Sequence, residues 1–165
     1  MGMGMSEGGE ASVGFETARA RSWPTVTQFS VFLANKVGQL IDVVRHFQGS
    51  RVKIVGLSIS DSADCCIIRL MLSHPEQGRE ILKRCDFPYC ENELLVSELP
   101  KGPQSLMDLC QALLQAEINI HYAYPLIVHP LGAAALALHV DNNQLASEIL
   151  ENRGLTLISE ADLIP

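Results

Sequence analysis

Two short polar loops carry the residues of this chain best suited to bind a small anion. One loop spans Asn35 to Gly38 and the other spans Pro100 to Pro103, and each joins an apolar stretch to an amphipathic one. The N–H groups at a helix N-terminus lack partners within the helix and carry partial positive charge, so they favour an anion. The sequence therefore predicts that each loop could bind the carboxylate of a small molecule.

The side chains near these loops have structural as well as ligand-binding interpretations. Asn35 could accept a hydrogen bond from a ligand ammonium or form a local turn. Ser105 could bind the ligand or cap its own helix, and Lys36 could pair with a carboxylate or remain solvated. Tyr122 and Tyr124 share one face of a strand. They could line a pocket, or they could lie in the core with their hydroxyls at its rim.

Catalytic and metal-binding patterns are weak. His46 lies four residues after Asp42, which is a common surface pair on a helix. Cys85 and Cys90, with His74 upstream, lack the tight paired spacing of structural zinc sites. The sequence contains neither a nucleophile elbow nor a phosphate-binding glycine loop. We therefore expect a protein that is not an enzyme and needs no cofactor, with a metal-responsive sensor as a remote alternative.

The composition limits the partners of the chain. Of its 165 residues 47% are hydrophobic, and the net charge is -7. This acidity argues against a nucleic-acid partner, which requires clustered Lys and Arg. No apolar run reaches the roughly 20 residues of a membrane span, and no secretory signal is apparent. The five cysteines are irregularly spaced, as is typical of reduced thiols. We expect a cytoplasmic protein without a membrane partner.

The hydrophobic pattern predicts two units with the same order of elements, strand-helix-strand-strand-helix-strand. The first unit has strands at Thr25–Leu33, Val52–Ile59 and Cys65–Leu72, a helix at Gln39–Gln48 and a second helix near Pro75 that is followed by a last strand. The second unit has strands at Leu94–Leu99, Ile118–Ile127, Gly132–Val140 and Leu155–Ser159, a helix after Pro103 and another at Asn142–Asn152. Gly154 is a predicted left-handed helix stop.

The two units align with each other by offset. Leu40 and Leu106 lie 66 residues apart, whereas Glu80–Leu82 matches Glu148–Leu150 at an offset of 68. One small insertion in a turn accounts for the change, because turns tolerate insertions. This pattern indicates an internal duplication.

Each unit should form four antiparallel strands with both helices on one face, which is the ferredoxin-like arrangement. The open face of each sheet then needs a cover. Ala133, Ala134, Ala135 and Ala137 give one strand small side chains, which would let another layer approach closely. They favour packing of the two units, or of two chains, against each other; tight packing of a helix on the sheet is the alternative.

Several motifs in this order resemble the ACT domain, and the chain resembles proteins built from two ACT domains in tandem. The motifs lie at Phe32–Leu40, Ile68–Leu70, Ala116–Tyr124, His139–Asn142 and Leu157–Leu163. The resemblance implies an α+β fold of two tandem ferredoxin-like βαββαβ domains whose antiparallel sheets pack together. It divides the chain into a leader or mobile arm at residues 1–24, a first ACT domain at 25–92 and a second at 93–165.

The resemblance also implies a regulatory protein that binds a small amino acid as effector at an interface between ACT domains. The implied ligand-binding residues are Asn35, Lys36, Val37, Gly38, Gln39 and Leu40 in the first unit, and Gly102, Pro103, Gln104, Ser105, Leu106, Asn119, His121 and Tyr122 in the second. The family loop usually contains Pro-Gly, whereas this chain has Val37 in place of the proline and Gln104 in place of the glycine. A composite site that uses both units is an open alternative.

The expected partners are the amino-acid effector and a second copy of the chain in a homodimer. An unidentified protein partner is a further alternative in this interpretation. The alternative function is an interaction or structural protein with degenerate ligand sites.

Overall fold

The computed structural model describes residues 23–165, so residues 1–22 of the predicted leader lie outside the described part of the chain. The elements are β1 (Val26–Ala34), α1 (Gln39–Arg45), β2 (Ile54–Asp61), β3 (Cys65–Leu72), α2 (Pro75–Arg84), β4 (Tyr89–Glu98), α3 (Ser105–Gln115), β5 (Ile120–Pro125), β6 (Ala135–Val140) and α4 (Asn143–Asn152). Short 3-10 turns cover Pro130–Gly132 and Glu160–Leu163. Within this range, no helix is long and apolar enough to cross a membrane.

The six strands form one antiparallel sheet in the order β2-β3-β1-β4-β6-β5. Strand β4 belongs to both repeats, because Tyr89–Leu94 pairs with β1 and Leu95–Glu98 pairs with β6. The predicted boundary between residues 92 and 93 therefore lies inside β4. We call residues 25–92 the first half and residues 93–165 the second half. Each half has the ferredoxin-like strand order that the sequence predicts.

The strands that close the two repeats differ from the prediction. The last strand of the first repeat and the first strand of the second form one continuous strand, because no turn residue separates them and Leu94, Leu95 and Val96 are all fully buried. The predicted strand at Leu155–Ser159 reduces to one bridge between Ser97 and Leu157. Two further backbone hydrogen bonds join this stretch to β4, from Ile158 N to Val96 O and from Glu98 N to Thr156 O.

Some element ends also differ from the prediction. Helix α1 ends at Arg45, because the following residues form i→i+3 turns. Strand β6 begins only at Ala135, because a 3-10 turn occupies Pro130–Gly132. Gly154 has a φ of 79°, which confirms the predicted left-handed stop after α4.

The sheet curls until its two outer strands meet at one end. Gly56 forms a bridge with Leu126, and Ile127 N donates to Val55 O at 2.8 Å. A Cβ atom at Gly56 would lie 2.9 Å from Leu126 Cδ2 and 3.2 Å from Met71 Cβ. The absence of a side chain at this position therefore permits the close approach of the two halves.

The curled sheet separates three apolar clusters. The seam core lies between the two halves and contains Val26, Val55, Met71, Leu94, Val96, Tyr124, Leu126, Ala135, Ala137, Ile158 and Leu163. The first helix core includes Phe29, Val43, Leu70 and Leu82, and the second helix core includes Leu109, Leu113, Leu138 and Leu150. Ala135 and Ala137 therefore face the other half, as their small size predicts. The expected packing of the two ferredoxin-like units through their sheet faces is confirmed, and both faces belong to one curled sheet.

Candidate functional site

A cleft of about 610 Å³ lies at the start of α3. It is lined by Lys101 to Ser105, by Asp108 and by Arg153 to Leu155. Its volume is within the usual range for small-molecule sites. Four of the predicted site residues, Gly102 to Ser105, thus line one concave surface.

The start of α3 offers backbone donors to this cleft. Gln104 is the N-cap residue, and no side chain caps the helix. The hydroxyl of Ser105 donates to Gly102 O at 3.2 Å, so it serves the loop instead of accepting from a helix amide. Gly102 has a φ of 135°, a conformation that side-chain-bearing residues avoid. The N–H groups of the first turn are therefore without a side-chain cap, as an anion site requires.

Charged side chains of both signs border the same cleft. Lys101 and Asp108 are exposed, whereas the guanidinium of Arg153 donates to Gln115 Oε1. A zwitterion could therefore place its carboxylate near Lys101 and the α3 amides, and its ammonium near Asp108. Sequence reasoning missed Lys101, Asp108 and Arg153 as site residues. Asp108 had a detectable signal, because it repeats Asp42 at the offset of 66.

The first loop, at Asn35–Gly38, is less suited than the second to bind a ligand. Asn35 Nδ2 donates to Ser62 O at 3.0 Å, so this side chain fixes the β2–β3 turn. Lys36, Val37 and Gly38 are exposed, and Val37 has the fully exposed side chain of an unpacked loop tip. Gly38, with a φ of 94°, is the N-cap of the seven-residue helix α1, which also has no side-chain cap. Gln39 and Leu40 follow as partly buried residues of α1.

The two loops lie at opposite ends of the sheet. The first loop follows the end of β1, and the second follows the end of β4, which runs antiparallel to β1. The ten residues of β4 span about 34 Å at roughly 3.4 Å per residue. One chain therefore does not bring the two loops into a single composite site.

Asn119, His121 and Tyr122, also predicted as site residues, lie away from the cleft. Asn119 and His121 are at the start of β5, where Asn119 Nδ2 lies 3.3 Å from His121 Nδ1. The second loop lies instead near the other end of the β5–β6 pair. Leu106 is on α3 with half of its side chain exposed.

Tyr122 and Tyr124 belong to a polar network in the seam between the halves. The hydroxyl of Tyr124 donates to Gln28 Oε1 at 2.7 Å, and Gln28 Nε2 donates to Tyr122 Oη at 2.8 Å. Gln28 Nε2 also lies 3.1 Å from Ser30 Oγ. Burial raises the pKa of Tyr124 well above its usual range, so this hydroxyl remains a donor. Sequence reasoning missed Gln28 and Ser30, although their alternation with apolar residues in β1 placed them on one face.

The metal-binding alternative finds no geometric support in the part of the chain that the structure describes. Among residues 23–165, no three His, Cys, Asp or Glu side chains gather where they could hold a metal ion. The five cysteines are unpaired thiols.

Comparisons with known proteins place this fold in a family. Residues 24–165 match the family model of the ACT domain pair. A search of curated proteins found no significant match.

Solved structures share the fold. Protein BT0572 from Bacteroides thetaiotaomicron superposes with a TM-score of 0.77 at 24% identity, over 86% of this chain and 97% of that chain. The regulatory subunit of aspartate kinase from Thermus thermophilus has a TM-score of 0.54 at 8% identity, over 80% and 98% of the two chains. The corresponding subunit from Thermus flavus has a TM-score of 0.52 at 9% identity, over 78% and 92%. Because the family model covers nearly all of the described residues, the chain belongs to the ACT domain pair family.

Proposed function

We propose that this chain is a non-catalytic, cytoplasmic regulatory protein that binds a small amino acid in the cleft beside α3. The observation that carries the proposal is the joint presence of uncapped helix amides, Lys101 and Asp108 around one concave surface. Amides and a lysine match a carboxylate, and a carboxylate side chain matches an ammonium. An α-amino acid carries both groups close together.

The family supports a regulatory role. Two solved structures with this fold are regulatory subunits of aspartate kinase. A regulatory ligand must bind one state of its protein more tightly than another. We propose that the two states differ in how the chain associates with a second copy, so that the amino acid shifts a monomer–dimer equilibrium.

The surface of α3 supports this choice of readout. Leu106, Met107 and Leu114 are 50%, 54% and 75% exposed, although all three are large and apolar. Leu106 lies in the first turn of the helix, next to the cleft. A ligand at this end of α3 would therefore act on a surface that a second copy could cover.

The same apolar surface also supports the alternative function, an interaction protein whose ligand sites have degenerated. The substitutions in the family loop, Val37 in the first half and Gln104 in the second, are consistent with such a loss. The two functions differ in one respect: only the first requires a small ligand.

A thermal-shift screen of the common amino acids tests the proposal. A ligand at about 100 times its dissociation constant should stabilise the protein by roughly 2.7 kcal/mol. The variant Asp108→Asn, which removes the partner of the ammonium, should lose most of this shift. Analytical ultracentrifugation of the protein with and without the active amino acid then measures the fraction of dimer.

The duplicated residue supplies a matched control. Asp42→Asn makes the same change in the first half, where Asp42 forms a long, exposed ion pair with Arg45 at 3.9 Å. It should leave the response intact. If Asp42→Asn abolishes the response and Asp108→Asn does not, the ligand binds the first loop. If no amino acid stabilises the chain, the interaction protein is favoured instead.

A further inference from the structure

Four ring or guanidinium groups gather where the seam between the halves opens to solvent. The Cζ atom of Arg69, on β3, lies 4.2 Å from the centre of the Tyr122 ring. The His139 ring stacks on Tyr122 with a centroid separation of 4.8 Å, and the His121 ring lies 5.1 Å from His139. We call these residues, together with Ser60, the seam mouth.

The seam mouth joins the two halves. Arg69 and Ser60 belong to the first half, and Arg69 Nη1 donates to Ser60 Oγ. Tyr122, His121 and His139 belong to the second half. A ligand that contacted both sets would act directly on the relative position of the halves.

The positive charge of Arg69 in the seam mouth has no carboxylate partner in the described part of the chain. Arg69 is partly buried, and it takes part in no ion pair among residues 23–165. The charge of a guanidinium usually has a partner when it is partly removed from water. Within the described residues, the face of Tyr122 and the hydroxyl of Ser60 are its polar contacts, although a guanidinium has five N–H donors.

In the described part of the chain, the neighbouring elements supply no carboxylate that pairs with Arg69. The same face of the sheet carries Gln28 and Ser30 on β1, Cys90 and Asn92 on β4, and Tyr124 on β5, and none of these side chains is a carboxylate. His139 also lines a cleft that contains Arg79, Glu91 and Glu93. Glu91 is bound there by Arg79 at 2.6 and 2.7 Å. Asp141 is exposed just after β6.

One more polar atom in the seam mouth lacks a partner. His139 Nδ1 is buried and forms no hydrogen bond within the described residues. Burial lowers the pKa of His139, and the positive charges of His121 and Arg69 lower it further. His121 and Arg69 therefore give this ring cationic surroundings.

We propose that the seam mouth binds a small oxyanion, a carboxylate or a phosphate, that bridges Arg69 of the first half to His121 and His139 of the second. An oxyanion supplies the acceptors that the guanidinium lacks and the negative charge that its surroundings lack. This site is separate from the cleft beside α3 and does not depend on the function proposed for it.

Binding at this site takes up protons. An anion stabilises the imidazolium form of His139, so it raises the pKa of this ring from its lowered value. The affinity for the anion therefore increases as the pH falls from about 8 to about 5, the range in which imidazoles change their charge.

The test uses inorganic phosphate and succinate as separate probes. Nuclear magnetic resonance titration of the imidazole signals gives the affinity and the pKa of each histidine. Arg69→Gln should weaken binding about tenfold or more, since it removes the cationic donor of the hydrogen bonds to the oxyanion. The probe that binds more tightly, phosphate or succinate, identifies the class of oxyanion.

Arg51→Gln is the matched control, because Arg51 is an exposed arginine in the turn before β2. It should leave binding unchanged. His121→Gln provides a second test at an exposed position, in case Arg69→Gln impairs folding, and it should also weaken binding. Equal effects of Arg51→Gln and Arg69→Gln, or histidine signals that neither probe shifts, would overturn the proposal. Asp108→Asn should not alter anion binding, so this result is independent of the amino-acid site.

Discussion

The two halves of the sheet share a backbone plan, down to its irregularities. Strands β2 and β5 begin at the duplicated positions Ile54 and Ile120, and the pairing of each strand shifts register directly after this residue. Asp86 and Gly154 occupy equivalent positions after α2 and α4, and both have left-handed φ angles, of 56° and 79°. The duplication therefore fixed where the chain bends as well as the order of elements.

The halves differ in their loops, in the strand that ends each repeat, and in the polar side chains that they contribute to the seam. Helix α1 has seven residues and α3 has eleven, and only the latter borders the cleft described above. The first half contributes the amide of Gln28 and the cation of Arg69 to the seam. The second contributes aromatic and imidazole rings. The candidate binding chemistry thus arises where two similar backbones carry different side chains.

The largest predicted effects come from the helix cores. Leu82 and Leu150 are duplicated, fully buried residues of α2 and α4. Each change to alanine should reduce the free energy of unfolding by about 2–5 kcal/mol, because it removes buried methyl groups and leaves a cavity. Urea denaturation of both variants, followed by circular dichroism, measures the two losses.

The same experiment shows whether the halves unfold together. Trp23, the single tryptophan, packs against the second helix core. Because the halves share β4 and the seam core, Leu82→Ala should shift the tryptophan fluorescence transition as far as the circular dichroism transition. If the fluorescence midpoint stays at the wild-type value while the circular dichroism curve splits, the halves are independent domains.

The duplicated architecture was predictable because it rests on hydrophobic period and on turn residues. Residues such as Leu40 and Leu106, or Leu82 and Leu150, repeat at nearly constant spacing, and each pair occupies equivalent helices. The fusion of two strands into β4 was not predictable in this way. A continuous apolar run at Leu94–Val96 does not reveal that its pairing partner changes from β1 to β6.

The candidate sites were predictable only in part. The loop at Gly102–Ser105 follows from the start of a helix, which is a local feature. Asp108 and Arg153 join this loop only after α4 has returned the chain to it. The seam mouth depends on four strands that meet after the sheet curls, so contacts such as Arg69 with Tyr122 are not visible in any local pattern.

A smaller loss of stability is expected from a change in the polar network of the seam. Tyr124→Phe removes the donor to Gln28 Oε1, and Gln28 is fully buried. An unpaired buried acceptor costs about 1–3 kcal/mol, which should appear as a lower urea midpoint. Tyr89→Phe in the first half is the matched control, since the hydroxyl of Tyr89 makes no hydrogen bond among residues 23–165, and its ring packs on Phe29. A loss of similar size in both variants would show that the seam network adds nothing specific.

The smallest predicted effect distinguishes the halves by their response to acid. Arg79 of α2 binds both carboxylate oxygens of Glu91 on β4, and this bond lowers the pKa of Glu91. At the offset of 68, the residue equivalent to Arg79 is Ser147. The second half therefore lacks this ion pair. A carboxyl whose folded pKa is lowered stabilises the protein above the unfolded pKa of about 4.3, and this contribution is lost as the pH falls through the folded value.

Glu91→Gln should therefore reduce stability at pH 7 by about 0.5–1 kcal/mol, the usual worth of a well-formed surface ion pair. It should also make the urea midpoint less sensitive to pH between about 5 and 3. Glu80→Gln breaks a looser pair with Lys83, at 3.6 Å and with both side chains more than half exposed, so it should change neither quantity measurably. Glu80 and Glu91 both pair with cations on α2, and both variants remove one negative charge. A difference between them therefore measures the effect of the bidentate contact and not of the charge. An equal response of the two variants to acid would mean that charge, and not the α2–β4 contact, sets the acid sensitivity of the first half.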